Sequence, residues 1–134
     1  MGLVMLAVLV VGWMLRPRRV VVDGLSMRPA LEPGDRLVVG PGRARVGRIV
    51  VVDLGGGRPL AVKRVAARVR GAVWVVGDDL AHSTDSRSLG WIARGRIHGV
   101  VWWRYGPSDR RGRVAPAPSS DSTAGLPTIP STIT

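Results

Sequence analysis

Apolar positions in this chain follow two patterns. Across residues 2–15 they run without a break, GLVMLAVLVVGWML, and Arg16, Pro17, Arg18 and Arg19 follow at once. Beyond that, as far as Arg104, they come in short Val-, Leu- and Ile-rich runs cut by Gly, Pro and Asp. The runs at 19–22, 36–39, 48–53, 60–66, 72–76 and 96–104 have the length and β-branched content of strands. Between them lie turn formers: Asp23-Gly24, Pro33-Gly34-Asp35, Gly40-Pro41-Gly42, Gly55-Gly56-Gly57 and Gly77-Asp78-Asp79. Residues 27–31 have room for one helical turn before Pro33, and no long amphipathic helix separates the runs. The pattern predicts a mainly β domain, a small barrel or sandwich.

The ends read differently. As a helix, residues 2–15 would reach about 21 Å, against about 30 Å of hydrocarbon in a bilayer. Trp13, near the end of the run, suits a membrane–water interface. A cleavable signal peptide carries its positive charge ahead of the apolar run, and here the charge follows. Residues 1–15 are therefore read as a short membrane anchor, with contact through residues 2–15. The Arg cluster places the rest of the chain on the cytoplasmic side. Residues 107–134 are rich in Pro, Ser and Thr and lack apolar periodicity, which predicts a disordered tail. One domain, 16–106, remains, with room for a single small core but not for a Rossmann fold with a substrate domain.

The chain has 20 basic and 9 acidic residues, a net charge of +11, and is drawn to anionic surfaces. The bias toward Arg, Ala, Gly and Val matches GC-rich codons and accounts for most of that charge. Cysteine is absent, which excludes disulfides, thiolate chemistry and Cys-based zinc sites. One position escapes the bias: Lys63 is the single lysine, and all other cationic side chains of the Lys/Arg class are Arg. An arginine cannot be deprotonated in a protein, whereas a desolvated lysine can, so position 63 has the chemistry of a base. On a strand, Ala61, Lys63 and Val65 share one face while Val62 and Arg64 take the other, which puts Lys63 on an apolar face. A serine hydroxyl is a weak nucleophile and needs such a base. Ser26, just after the Asp23-Gly24 turn, is placed to present one. His82 and His98 have no triad context, and Asp78, Asp79, His82 and Asp85 match no ligand spacing of a known type. No metal and no cofactor are expected. Asp85 and Arg87, at i and i+2 on an extended segment, would point the same way and pair.

Three segments, in order, carry a resemblance. They are Ser26-Met27-Arg28-Pro29-Ala30-Leu31 with Pro33-Gly34-Asp35, then Lys63-Arg64, then GDDLAHSTDSRSLG from Gly77 to Gly90. Together they resemble the type I signal peptidase family, serine endopeptidases with a Ser–Lys dyad. That family's pattern runs S-M-x-P-T-L, G-D, K-R and G-D-N-x-x-x-S-x-D-S-R-x-x-G. The chain departs from it at Ala30 (for Thr), at Asp79 (for Asn), and in lacking a G-x-P-G-D after the K-R. The resemblance spans residues 20 to 102 and implies a signal-peptidase-like β catalytic core. By it, Ser26 is the nucleophile and its own N–H an oxyanion donor, Lys63 is the base, and Ser83 orients Lys63. Asp85 and Arg87 brace the site, and Met27 lines the substrate cleft. Gly24 stands where the family often supplies a second oxyanion donor from a side chain.

The short connection from Lys63 to Gly77 leaves no room for the β domain that larger members insert there. Among short members, the chain is similar to the proteases that mature nickel-type superoxide dismutase by removing an N-terminal leader. A cytoplasmic catalytic domain suits such a precursor as partner. Three alternatives stand beside this reading. A minimal signal peptidase, cleaving secretory signal peptides, would work on the outer face of the membrane. A self-cleaving SOS-repressor-type protein also pairs Ser with Lys, but this chain lacks room for a DNA-binding domain. A small basic β barrel with exposed Trp would bind single-stranded nucleic acid, although the Arg residues are scattered and Trp13 lies in the apolar start.

Overall fold

The computed structural model describes residues 2–14 and 16–114. The apolar start forms a helix, α1 (Gly2–Met14), and the domain is built from strands: β1 (Arg18–Val21), β2 (Arg36–Gly40), β3 (Ile49–Val52), β4 (Ala61–Val69), β5 (Ala72–Val76), β6 (Ile92–Ala93) and β7 (Ile97–Gly106). A one-turn helix, α2 (Ser86–Leu89), sits between β5 and β6. The strands pair antiparallel into one sheet in the order β1-β2-β7-β3-β4-β5-β6. All six expected strands are present. β4 runs further than the sequence predicted because Ala67–Val69 close a hairpin with Ala72–Trp74 across Gly71, which sits at φ 80°. The short β6 has too few residues to show alternation, and it pairs with β5.

Of the expected barrel or sandwich, the mainly β architecture is present as one curled, open sheet, a half-barrel with β1 and β6 as its edges. Register breaks in β7, opposite Arg36/Leu37 and Val38/Val39 of β2 and opposite Val51/Val52 of β3, add local twist and produce the curl. Both faces are covered. Val50 and Val52 of β3 enter one apolar cluster with Val65, Val75 and Val100, while Ile49 and Val51 enter another with Leu37, Val39, Met27 and Leu31. That double burial explains why β3 reads as an unbroken apolar run rather than an alternation.

The side chains of α1 are exposed from Leu3 to Val11, and its 13 residues make a helix of about 20 Å. No described helix is long and apolar enough to cross a membrane. At the other end, the domain boundary expected at residue 106 moves. A 3-10 turn at Ser108–Arg110 follows β7, Arg104 bridges to Gly112, and Val114 packs on the second cluster. The expected tail therefore includes ordered chain from 107 to 114, and residues 115–134 lie outside the described residues.

Candidate active site

Between β1 and β2 the chain makes a loop, 22–35, closed at its base by two backbone hydrogen bonds. Val22 N–H donates to the Asp35 carbonyl and Gly34 N–H to the Val22 carbonyl, each at 2.8 Å. Met27 and Leu31, four residues apart, both sink into the second apolar cluster, and Leu31 N–H donates to the Met27 carbonyl at 2.9 Å. The predicted helical turn at 27–31 is thus a single hydrogen-bonded turn anchored by its apolar side. Ser26, immediately before the buried Met27, is left half-buried at its mouth.

Lys63 lies on β4, on the Ala61/Val65 face, and is only 4% exposed. Its Nζ donates to Ser83 Oγ at 2.9 Å, and Ser83 Oγ donates in turn to Asp85 Oδ2 at 2.6 Å. Asp85, 1% exposed, is saturated with donors. Arg87 Nη2 reaches Oδ2 at 2.6 Å and its Nε reaches Oδ1 at 2.8 Å, while Gly77 N–H donates to Oδ2 at 2.9 Å. The expected Asp85–Arg87 pair is present, but not on an extended segment. Asp85 is the N-cap of α2 and also accepts the Arg87 backbone N–H at 3.1 Å, so the pair spans a helix start.

The electrostatics follow from this arrangement. Burial pushes the Lys63 pKa below its ordinary 10.5; the Asp85 charge acts against that and the Arg87 charge with it. Burial would raise Asp85, but hydrogen bonds from Arg87, Ser83 and the Gly77 N–H outweigh it and hold the carboxyl at about 2. Asp85 is therefore an anion at any working pH, facing a lysine whose neutral form is within easier reach.

Two further contacts tie the loop to this relay. Asp79 N–H donates to the Ser26 carbonyl at 2.8 Å. At Gly77, a Cβ would fall 2.6 Å from the Ser26 carbonyl oxygen and would collide with Ser83 Oγ. Only glycine lets the 77–79 segment pass this close to both. On the opposite face of β4, Arg64 forms a bidentate pair with Asp78 (Nε–Oδ1 2.9 Å, Nη2–Oδ2 2.8 Å) and donates from Nη1 to the Gly47 carbonyl at 2.9 Å. Sequence reasoning gave this buried pair no role, although Arg64 and Asp78 stand inside two of the quoted motifs. It clamps the 77–79 segment onto β4.

A cleft of about 370 Å³ opens where the start of β4 faces the 20–27 stretch, and Gly24, Ser26, Met27 and Lys63 all line it. β5 pairs with β4 only from Arg64 onward, so Ala61–Lys63 have β3 on one side and an open edge on the other. Val65 exchanges backbone hydrogen bonds with Gly47 and Arg48 on the β3 side, and peptide groups alternate along a strand. The N–H and C=O of Val62 are thereby turned to the open edge. Ser26 N–H and Oγ make no hydrogen bond among the described residues, so Ser26 and Lys63 share the cleft without a direct bond. Gly24, at φ 93°, has open space where a Cβ would point, and offers no side-chain donor to an oxyanion.

The structure thus gathers the predicted residues into two groups: Gly24, Ser26, Met27 and Lys63 on the cleft wall, and Ser83, Asp85 and Arg87 behind Lys63. Compared with known proteins, the chain matches no protein-family model and no curated protein.

Proposed function

We propose that this chain is an endopeptidase with a Ser–Lys dyad and a signal-peptidase-like core, which removes an N-terminal leader from a precursor protein. One observation carries the reading: the chain's single lysine is buried, bonded through Ser83 to a carboxylate whose pKa is held at about 2, and lines the same cleft as a serine with an unengaged hydroxyl. A solvated strand lysine needs none of these features.

In the proposed reaction an extended precursor segment adds to the open edge of β4 at Val62, a strand addition in which main-chain bonds supply affinity. Neutral Lys63 takes the Ser26 proton as Oγ attacks the scissile carbonyl carbon, and the Ser26 N–H stabilises the oxyanion. Protonated Lys63 then gives its proton to the departing amine, leaving an acyl-enzyme. Lys63 deprotonates a water that attacks the ester, and the acid product leaves with Ser26 restored. The apolar cleft suits small uncharged residues before the cleaved bond. The connection from Lys63 to Gly77, without an inserted domain, favours the precursor of nickel-type superoxide dismutase as substrate. The exposed apolar α1 followed by Arg16, Arg18 and Arg19 supports attachment to a membrane from the cytoplasmic side.

The test is cleavage on co-expression with that dismutase precursor or, separately, with an exported protein carrying its signal peptide. Each is run with wild type, Ser26→Ala and Lys63→Met, and new N-termini are read by mass spectrometry. Cleavage of the dismutase precursor alone, lost in both variants, is the expected outcome. Cleavage of the exported protein instead makes the chain a minimal signal peptidase and reverses the topology. Cleavage that survives either substitution ends the Ser–Lys reading.

A further inference from the structure

A second buried carboxylate belongs to the Ser26 loop itself. Asp35, at the loop's base, is 1% exposed. Its Oδ2 accepts the Glu32 N–H at 2.9 Å, Arg104 Nη1 at 3.2 Å and Arg110 Nη2 at 3.2 Å, and its Oδ1 accepts Arg110 Nε at 3.0 Å. Arg104 Nη1 also donates to the Ala30 carbonyl at 2.9 Å, and its Nε donates to the Arg110 carbonyl. Burial acts to raise the Asp35 pKa, but the bonds from Arg110 and Glu32 and the nearby guanidinium charges keep it below the ordinary carboxylate value. Arg110 comes from the segment after β7, which the Arg104–Gly112 bridge folds back onto the domain.

We propose that Arg104 and Arg110 are positioning residues that, by gripping Asp35 and Ala30, fix the loop that presents Ser26. The inference rests on Ser26 being the nucleophile. With no hydrogen bond of their own among the described residues, the Ser26 N–H and Oγ are placed entirely by the loop that carries them. That loop is held at Ser26 by Asp79 N–H on the Ser26 carbonyl, and beyond it by the Met27–Leu31 turn, gripped at the Ala30 carbonyl and at the Glu32 N–H that follows it. The turn is stiffened by its own Leu31-to-Met27 bond, so a shift at Ala30 is passed to Ser26. Neither arginine touches Lys63, Ser83 or Asp85, so the base and its pKa lie outside their reach. Their effect is on geometry, which for a nucleophile is steep: a displacement of about 1 Å costs on the order of a hundredfold in rate.

Arg110→Ala is the informative variant, since Arg104 still balances the buried Asp35. Arg110→Lys keeps the charge without the fork, and Asp109→Ala changes the neighbouring exposed residue as a control. In the full chain, Arg110→Ala is expected to lower kcat about tenfold while KM stays within about twofold and the pH–rate profile keeps its position. Amide exchange over residues 25–31 should rise about tenfold, with residues 61–65 unchanged. Arg110→Lys should recover part of both effects, and Asp109→Ala should match wild type. Unchanged exchange at 25–31, exchange accelerated equally everywhere, or faster loop exchange with an unchanged kcat would each overturn the proposal. The exchange measurement needs no substrate. An inactive wild type would therefore count against the peptidase reading, while the loop's dependence on Arg110 is still decided.

Discussion

Asp35 and Asp85 are alike by every local measure. Each is 1% exposed, each is gripped by arginine, and each is held below its ordinary pKa. What they bind differs. Asp85 reaches the Lys63 amine through one hydroxyl, whereas Asp35 reaches only the backbone of the loop. A buried ion pair is weak evidence of stabilisation, because desolvation offsets much of the attraction. The contrast shows that such a pair is better understood by what it orients. Under the proposed function, one aspartate acts on the charge of the base Lys63, and the other on the place of the nucleophile Ser26.

In the proposed reaction both act through the Ser26–Lys63 dyad, and the largest effect is expected from removing it. Lys63→Met should cut peptide cleavage by at least about a thousandfold, with thermal stability equal to or above wild type, because a buried amine is replaced by an apolar chain of similar shape. A substantial residual rate would leave the two aspartates with nothing in common to serve. Next comes Asp85→Asn, which should lower kcat about a hundredfold. Because the Asp85 charge raises the Lys63 pKa, its loss should also move the acid limb of the pH–rate profile to lower pH. In wild type that limb rises with pH as Lys63 loses its proton, and its midpoint lies below 10.5. Arg87→Met works with the opposite sign. The Arg87 charge lowers the Lys63 pKa, so removing it should shift the limb upward, with a loss of about tenfold at neutral pH. Asp35→Asn, by contrast, should leave the limb where it is, and a shift there would erase the distinction.

The smallest effect is the one the two aspartates share. A carboxyl whose folded pKa lies below its unfolded value stabilises the fold above the unfolded pKa, and that stabilisation fades as pH falls through the folded one. For Asp85 the window runs from about 3.8 down to about 2. Asp35, also lowered, adds to the same acid loss. Chemical denaturation between pH 5 and pH 2 should show a steep fall in wild type and a shallower one in either Asn variant.

How much of this was legible in the sequence depends on distance along the chain. Six of the seven described strands were, because apolar runs and turn residues are local; β6, with two residues, was not. The curl was not, since the breaks in β7 come from its register with β2 and β3 rather than from its own pattern. Ser26 and Lys63 stand out in the sequence as candidates, Lys63 because a lone lysine in an arginine-rich chain is conspicuous, but their shared cleft does not. The Asp85–Arg87 pair was legible as a pair, but its geometry was not, because the N-cap role of Asp85 ahead of Ser86–Leu89 went unread. The Arg64–Asp78 and Asp35–Arg110 pairs join residues 14 and 75 positions apart, and a chain with so many arginines gives no hint of which one finds which carboxylate. Residues 107–114 were hidden by the Pro/Ser/Thr-rich stretch that follows them.

The hydroxyl between Lys63 and Asp85 has one more consequence. Ser83 owns a single proton and lends it to a carboxylate that stays ionised down to about pH 2. Toward Lys63 it therefore shows only lone pairs. A neutral amine beside it can give a hydrogen to Ser83 but cannot receive one, so its own lone pair is left to face elsewhere, and the cleft that Ser26 lines is the open direction. In the proposed reaction the relay would supply no proton; it would give the Lys63 lone pair a heading.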